Sequence, residues 1–342
     1  MIAAFALLML QHPVPVAGHT LTVPTGFDIA LYADSLRGIR YMTLGPHNQV
    51  YASIPRDGRV VRFENGKAVN YATGLNQPFG LAWRGDTLYV GDQDALLRID
   101  PDGKKTQLAD LPSGGNHVTR TVLIKGDHIY VSAGSTCNIC DESDPRRAAV
   151  SIYDLDGKHG RVFASGLRNS VGLAFNPTTG ELWGTNNDRD NLGDDLPPEH
   201  LNIIKDGKWY GWPKCYLPGK NNPEYPDAKC DTVEPPAITF QAHSAPLGLA
   251  FYGGSQFPAD YKGDAFATFH GSWNRSTPTG DKVIRIHVKD GKPVSSEDFA
   301  TGWQLPDGTR WGRVVGLLVL PDGSLLISDD AGGRVWRVTY GK

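Results

Sequence analysis

Polar side chains recur at one position of six related segments, and several are of a type that binds anions. Each segment opens an apolar run, led by Leu44, Leu81, Leu123, Leu173, Leu249 and Leu318. Four to six residues earlier stand Arg40, Gln77, His117, Arg168 with Asn169, His243 and Arg313. Guanidinium groups that meet in one pocket bind carboxylates through paired hydrogen bonds. The alternative is a set of side chains that only fills a polar channel with hydrogen bonds and water.

His117 is the candidate for proton transfer. It follows the flexible residues 113–116, SGGN, and precedes the strand-like residues 119–123. An imidazole accepts a proton near neutral pH, which suits a general base. A histidine at the end of a loop is more often structural, but the neighbouring pair Arg168 and Asn169 favours the catalytic interpretation.

Oxygen-bearing side chains are dense between the fourth and fifth segments. Residues 186–195 read NNDRDNLGDD. Calcium prefers carboxylate and carbonyl oxygens, so this stretch is a candidate calcium site. Its spacing does not match an EF-hand loop, and a solvated acidic loop is the alternative.

The six segments also indicate the fold that positions these residues. Each repeats an apolar strand, a polar turn and a second strand, and the first three intervals between the leading leucines are 37, 42 and 50 residues. Such a period is typical of four-stranded propeller blades. The apolar faces of small sheets are covered only by neighbouring sheets, and radial packing leaves a central channel. The sequence therefore predicts an all-β, six-bladed β-propeller.

The last repeat is one strand short if the chain simply ends after it. A strand over residues 27–32, FDIALY, is predicted to complete this blade and to close the ring. Closure removes two exposed sheet edges. We expect a single propeller domain over residues 21–342, because no Pro/Ser-rich linker divides the chain.

The composition and the first residues of the chain indicate where the protein is located and which partners are not expected. The net charge of −3 gives no basic field, so nucleic acid is not expected as a partner. Residues 2–10 are apolar but too short to span a bilayer, and residues 1–17 resemble a signal peptide without the usual basic residues. We expect a periplasmic or secreted protein.

Four cysteines fit an oxidising compartment. We expect Cys137 to pair with Cys140 and Cys215 to pair with Cys230. The CxxC spacing of the first pair also occurs in zinc sites and redox motifs, which remain weaker alternatives.

Several motifs resemble one family over nearly the whole chain. They read GGNHVTRTVL, SAGSTCNICDESDPRRAA, GLRNSVGLAF, RDNLGDDLPPEHLN, KWYGWP, HSAPLGLAF, FHGSWNR and SDDAGGRVWRV. They are similar to the soluble quinoprotein sugar dehydrogenases, six-bladed propellers that use pyrroloquinoline quinone (PQQ) and calcium. The chain most resembles the sorbosone or pyranose dehydrogenase branch.

The resemblance implies a role for each matching residue. His117 corresponds to the base that takes a proton from a sugar hydroxyl, and Arg168 to a catalytic cation beside the quinone oxygens. The residues implied to contact the cofactor are Arg168, Asn169, His270, Trp273, Arg275 and Arg313, to which the ring position adds Gln77. The implied calcium ligands are Asn191 and Leu192 through their carbonyls, with Asp190 and Asp194 as further contributors.

The chain departs from the glucose-oxidising members at two places. Val171 stands where they have Gln, and Gly134-Ser135 stands where they have an acidic substrate contact. Glucose is therefore not the expected substrate.

The predicted function is PQQ-dependent oxidation of an aldose, aldehyde or related polyol to the lactone or acid. Electrons would pass to an external acceptor, a quinone or a cytochrome. The alternatives are a calcium-dependent lactonase-type propeller hydrolase and a non-catalytic propeller that serves as a binding platform. A ring of arginines favours an anionic cofactor over a bare cation.

Overall fold

The alternation of apolar and polar residues folds into short antiparallel strands throughout residues 10–341, which the computed structural model describes. At the chain start lie β1 (Gln11–Val16), β2 (His19–Pro24) and β3 (Phe27–Ala33). β1 and β2 form a hairpin of their own. β3 belongs to a sheet whose other strands come from the end of the chain.

Six four-stranded sheets make up the ring, which confirms the predicted six-bladed β-propeller. Blade 1 contains β4 (Met42–Leu44), β5 (Val50–Ile54), β6 (Arg59–Glu64) and β7 (Lys67–Ala72). Blade 2 contains β8 (Gly80–Arg84), β9 (Thr87–Gly91), β10 (Ala95–Ile99) and β11 (Lys105–Asp110). Blade 3 contains β12 (Arg120–Lys125), β13 (His128–Ala133), β14 (Ala149–Asp154) and β15 (Arg161–Ser165).

The second half of the chain forms the other three blades. Blade 4 contains β16 (Leu173–Phe175), β17 (Leu182–Asn186), β18 (Glu199–Ile204) and β21 (Ile238–Phe240), with the small hairpin β19 (Cys215–Leu217) and β20 (Lys220–Asn221) inserted before its last strand. Blade 5 contains β22 (Pro246–Phe251), β23 (Ala265–Phe269), β24 (Lys282–Lys289) and β25 (Lys292–Ala300). Blade 6 contains β26 (Val314–Val319), β27 (Leu325–Asp329), β28 (Arg334–Tyr340) and β3.

The ring closes as predicted, with a strand from the chain start at the outer edge of the last blade. β3 runs antiparallel to β28, with Ile29 opposite Val338 and Phe27 opposite Tyr340. The innermost strands, β4, β8, β12, β16, β22 and β26, are neighbours around the central channel. Residues that precede these strands therefore meet at one end of the channel.

Apolar side chains are buried between blades, as the repeat pattern requires. Leu326 and Val335 of blade 6, for example, pack with Ala52 and Val61 of blade 1 in one buried cluster. The largest cluster joins blades 5 and 6, and it includes the fully buried Trp336.

The β1–β2 hairpin is an addition that the repeat pattern does not predict. Leu21 and Val23 are fully buried in the cluster of blades 5 and 6, and Thr22 pairs with Thr301 after β25. The predicted leader, residues 1–17, overlaps β1, and its residues 1–9 lie outside the described part of the chain. The leader remains a prediction.

Two disulfides are present, as predicted. Cys137 pairs with Cys140 in the loop after β13, and Cys215 pairs with Cys230 in the insertion of blade 4. The disulfide-bonded Cys137 and Cys140 have no free thiolates to bind zinc, whereas the redox alternative for the CxxC motif is not tested by the disulfide. Regular helix is limited, within residues 10–341, to four short 3₁₀ turns (Pro46–Asn48, Pro55–Asp57, Cys230–Thr232 and Ala259–Tyr261). In that range no helix has the length and apolar character needed to cross a membrane.

Candidate functional site

One cavity of about 680 Å³ lies at the channel end where the innermost strands begin. All six blades contribute to its lining, because every repeat places its pre-strand residue there. The predicted residues that line it are Arg40, Gln77, His117, Arg168, Asn169, Asp190, His243, His270, Trp273 and Arg313. Arg275, Asn191, Leu192 and Asp194 are not part of this lining.

The hydrogen bonds around His117 fix its tautomer. Its Nδ1 lies 2.9 Å from the carbonyl oxygen of Ser135 and 2.9 Å from the hydroxyl oxygen of the same residue. That hydroxyl donates its hydrogen to the carbonyl of Cys137 at 2.7 Å, so both Ser135 oxygens act as acceptors for the imidazole. Nδ1 therefore carries the proton, and Nε2, which has no hydrogen-bond partner among the described residues, keeps a free lone pair.

Two buried arginines hold the backbone that carries His117. The fully buried Arg120 donates to the carbonyls of His117 at 3.0 Å and Thr119 at 2.8 Å. Arg147, 4% exposed, donates to the carbonyls of Gly134 at 3.1 Å and Gly114 at 2.6 Å. Neither guanidinium forms an ion pair with a described carboxylate. Both guanidinium groups instead donate to backbone carbonyls.

The surroundings keep the His117 imidazole uncharged. Burial, and then the charge of Arg168 with smaller contributions from Arg147 and Arg120, lowers the pKa of His117 to about 3. The imidazole is consequently neutral at physiological pH and able to accept a proton at Nε2.

Arg168 is buried, and its guanidinium is fixed from several sides. It is 4% exposed and donates from Nη1 to the carbonyl of Asp188 at 2.6 Å. Nε and Nη2 each reach Asn138 at 3.0 Å, and Nη2 also contacts a carboxylate oxygen of Asp190 at 3.1 Å. The charge of Arg168 is thus held at a fixed place in the cavity wall.

A second set of side chains, Arg40, His270 and Arg313, lines the cavity on the side of blades 5, 6 and 1. Arg40 donates to Asp330 at 2.7 Å, and Nε2 of His270 lies 3.1 Å from the other oxygen of the same carboxylate. The Arg40 Nε is buried without a hydrogen-bond partner. His270 has its pKa lowered to about 4 by burial.

Arg313 completes this group. Its Nε donates to the carbonyl of His270 at 2.9 Å, and its Nη2 donates to the carbonyl of Gly271 at 3.1 Å. Nη1 makes no hydrogen bond with any described residue. The pKa of the nearby Asp281 carboxyl is raised to about 6 by burial. Arg313 therefore has donors left for a ligand.

Two acids of the cavity lining, Asp188 and Glu199, were not assigned a role from the sequence. Both are less than a tenth exposed. Glu199 accepts hydrogen bonds from the backbone N–H of Asp188 at 2.7 Å and of Ala245 at 3.3 Å. Burial raises the pKa of Glu199 to about 8, so it is largely protonated at neutral pH. The signals in the sequence were the oxygen-rich stretch 186–195 for Asp188 and the motif RDNLGDDLPPEHLN for Glu199.

The side chains of the two acids predicted as metal ligands are engaged by other protein groups. The carboxylate of Asp190 is engaged by Arg168 and by Asn274, the latter at 3.3 Å. Asn191 has a left-handed φ of 69°, and the chain beyond it leaves the cavity. Asp194 accepts a hydrogen bond from the backbone N–H of Ser276 at 3.1 Å. Among the described residues no cluster of metal-binding side chains contains either acid.

The other predicted residues lie at the rim of the cavity. Trp273 is 73% exposed, and Gln77 is exposed with a left-handed φ of 53°. Arg275 instead joins two loops, since it contacts the carboxylate of Asp195 at 3.2 Å and the carbonyl of Thr277 at 3.2 Å. The Nε2 of His243 lies 2.8 Å from the carbonyl oxygen of Gly193. Because a carbonyl only accepts hydrogen bonds, this nitrogen carries a proton and donates it to Gly193.

The sequence is similar to those of several known proteins. An uncharacterised protein of Borreliella burgdorferi is 30% identical over 94% of this chain and 92% of its own length. A pyrroloquinoline quinone-dependent sugar dehydrogenase of Hypocrea jecorina is 25% identical over 96% of this chain and 90% of its own length.

The fold has a close counterpart among solved structures. The PQQ domain of pyranose dehydrogenase from Coprinopsis cinerea, in its holo form, superposes with a TM-score of 0.81 at 21% identity, covering 95% of this chain and 98% of that one. The TrAA12-like family profile matches residues 29–340, which are nearly the whole chain. The protein therefore belongs to the TrAA12-like family, whose named relatives include PQQ-dependent sugar dehydrogenases.

Proposed function

We propose that this protein is a PQQ-dependent dehydrogenase that oxidises an aldose, an aldehyde or a related polyol to the lactone or acid. The observation that carries the proposal is a neutral imidazole with a free Nε2 in a cavity that four arginines line, Arg40, Arg56, Arg168 and Arg313. This combination offers proton acceptance and anion binding in one place.

The cavity suits a planar anion with several carboxylates. Among the described residues, three acids line it, Asp188, Asp190 and Glu199, and the last is largely protonated at neutral pH. The arginines of the lining also keep unused donors, such as the Nη1 of Arg313, which has no hydrogen-bond partner among the described residues. A tricarboxylate such as PQQ would supply acceptors for these donors and would balance their charge.

The residues of the chain have separate tasks in this reaction. The Nε2 of His117 accepts a hydroxyl proton of the sugar or of the hydrated aldehyde as the carbon that bears this hydroxyl loses a hydride. Bound PQQ would supply the hydride acceptor and would pass two electrons on to an external quinone or cytochrome. Arg168 and Asn169 would stabilise negative charge that develops near them, because Arg168 is already fixed in place by its carbonyl contacts.

Two departures from the glucose-oxidising members support a different substrate. Ser135 lies at the Nδ1 of His117, where those members are expected to have an acidic substrate contact nearby. Val171, which stands where they have Gln, is 2% exposed and packs against Val315 and against Leu247, which lines the cavity. We therefore propose a substrate other than glucose.

Calcium remains a prediction that the resemblance alone supports. The side chains of Asp190 and Asp194 are engaged by other protein groups and do not form a cluster.

We propose a periplasmic or secreted location. Both cysteine pairs are oxidised, as is usual for proteins that function outside the cytoplasm.

A lactonase-type hydrolase is the second candidate, since acids and amides also line the cavity floor. Asp188, Glu199, Asn169 and Asn187 supply such groups. However, the Glu199 carboxylate is satisfied by two backbone N–H groups, and Asn187 donates to the carbonyl of Pro246 at 2.5 Å. A binding platform without catalysis would not need a free imidazole nitrogen.

The test is a titration of purified apoprotein with PQQ, with and without calcium, followed by dye reduction on a panel of sugars and aldehydes. We expect a change in quinone absorbance and turnover with at least one substrate. His117→Ala should retain quinone binding and lose about 10²- to 10⁴-fold in turnover.

His47→Ala is the matched control, because His47 is exposed and outside the cavity, and it should behave as the wild type. Absence of quinone binding by the wild-type protein would overturn the proposal. Lactone hydrolysis that needs calcium and no quinone would establish the second candidate instead.

A further inference from the structure

We propose that Asn138 is a positioning residue for the cavity and that the Cys137–Cys140 disulfide holds it in place. The proposal rests on the function proposed above, in which Arg168 and His117 act on cofactor and substrate. Asn138 itself does not line the cavity. It acts through residues that do.

Two oxygens of Asn138 accept hydrogen bonds from the guanidinium of Arg168. The Nε of Arg168 donates to the Asn138 carbonyl at 3.0 Å, and Nη2 donates to Asn138 Oδ1 at 3.0 Å. These two contacts set the plane of the guanidinium, because its donors have a rigid fork geometry. The direction of the remaining N–H groups depends on that plane.

The same side chain also pairs with the backbone of Asp190. The Asp190 N–H donates to Asn138 Oδ1 at 2.8 Å, and Asn138 Nδ2 donates to the Asp190 carbonyl at 3.2 Å. Only a primary amide can make both contacts, since it has an acceptor and a donor side by side. Asn138 thus ties blade 3 to the loop of blade 4 that supplies the Arg168 counter-charge, Asp190.

The disulfide loop reaches His117 through a second route. The hydroxyl of Ser135 donates to the Cys137 carbonyl at 2.7 Å and lies 2.9 Å from His117 Nδ1. Trp212, 4% exposed, donates from its indole nitrogen to the Asn138 carbonyl at 3.1 Å. One short loop therefore orients both the imidazole and the guanidinium.

This loop has no regular secondary structure of its own. Residues 134–140 lie outside any strand, and the Cys137–Cys140 bond closes the segment across three residues. Fixing an irregular backbone costs conformational entropy, and a cross-link lowers that cost by restricting the alternatives. Breaking the bond is therefore expected to release Asn138 and the Cys137 carbonyl together.

The experiment compares quinone binding and turnover of the full chain with those of three variants. Asn138→Ala removes the side-chain contacts with Arg168 and Asp190, and we expect about 10- to 100-fold weaker quinone binding or slower turnover. Replacing Cys137 and Cys140 together by Ser should give the same defect. Adding Asn138→Ala to that double variant should change it little further, because both act through one loop.

Asn138→Asp supplies a readout that a merely structural role would not move. The introduced carboxylate faces the Asp190 carbonyl and offsets the Arg168 charge, so quinone binding should weaken at pH 7. This variant is nearly isosteric and serves if Asn138→Ala does not fold.

Asn221→Ala is the matched control. Asn221 also holds loop carbonyls through its Nδ2, those of Tyr225, Pro226 and Ala228, but away from the cavity. It should lower thermal stability without changing quinone affinity. Wild-type affinity and turnover in Asn138→Ala and in the Cys double variant would overturn the positioning proposal. Failure of the wild type to bind PQQ would instead overturn the proposed function.

Discussion

The two ring nitrogens of His117 have different roles: Nδ1 carries the proton, and Nε2 keeps a lone pair. Ser135 fixes the proton on Nδ1, and burial beside Arg168 keeps the ring neutral. Hydrogen bonds and a nearby buried charge thus keep the lone pair of Nε2 available. Ligand carboxylates in the cavity would offset the arginine charges and raise the pKa of His117 toward the working pH.

The lowered pKa of His117 predicts a pH dependence of stability. The folded protein takes up this proton near pH 3, whereas the unfolded chain takes it up near 6.5. Stability contributed by the neutral ring is therefore complete above pH 6.5 and is lost as the pH falls toward 3. Between these values His117→Gln should reduce the slope of unfolding free energy against pH by up to about 1.4 kcal/mol per pH unit.

Urea unfolding at pH 4.5, 5.5 and 7 measures this slope. His47→Asn, at an exposed position, is the control and should leave the slope unchanged. An unchanged slope in His117→Gln would mean that the imidazole is protonated in the folded protein at these values.

At the residue scale, the sequence predicted the residues that line the cavity better than the supports, the residues that hold those side chains in place. Arg40, His117, Arg168 and Arg313 each lie four to six residues before a repeated leucine, and a propeller brings these positions together. The supports, such as Asn138 and Arg147, follow no repeat. Their contacts depend on the path of irregular loops, which the period of the strands does not encode.

At the scale of elements, the end of β13 and the loop before β12 approach each other closely at Gly134. A Cβ atom at this position would lie 2.6 Å from the Cβ of His117 and 2.6 Å from Oδ1 of Asn169. Real Cβ contacts are not that short, so any side chain here moves one of the two residues. The strand end thus sets the distance between the imidazole and the amide.

Gly134→Ala is expected to reduce turnover by about tenfold or more and to lower the free energy of unfolding by about 1–3 kcal/mol, through overpacking. Steady-state kinetics and urea unfolding measure the two effects. Gly253→Ala is the control, because a Cβ there meets no atom within 4 Å. Equal behaviour of the two variants would show that the loop adjusts without affecting the site.

In the loop of residues 186–195, the two acids predicted as calcium ligands have protein partners. Asp190 contacts Arg168 and Asn274, and Asp194 accepts a hydrogen bond from the backbone of Ser276. Composition does not predict such partners, because they come from other parts of the chain. Calcium binding at this loop stays a prediction.

At the scale of the whole molecule, the repeats predicted both the number of blades and the strand that closes the ring. The β1–β2 hairpin was not predicted, because its buried residues Leu21 and Val23 pack on blades far away along the chain. A closed ring has no terminal blade that is free to fray. We therefore expect the blades to unfold together.

Ile29→Ala tests this cooperativity at the closing strand. Ile29 is 1% exposed in β3, and its truncation should cost about 2–5 kcal/mol of unfolding free energy. Hydrogen exchange should then accelerate in blade 3, on the far side of the ring, as well as in blade 6. Leu31→Ala, on the same strand at 42% exposure, should leave exchange nearly unchanged. Acceleration confined to blade 6 would mean that the blades open independently.

The pairing of β3 with β28 also orders events during synthesis. β3 is made before the six innermost strands, whereas its partner, residues 334–340, is made after them. Until then the nascent chain carries an unpaired strand and an open row of sheets, and pairing over such a sequence distance is slow. The finished ring, and with it a cavity built from all six sheets, can form only after residues 334–340 have been made.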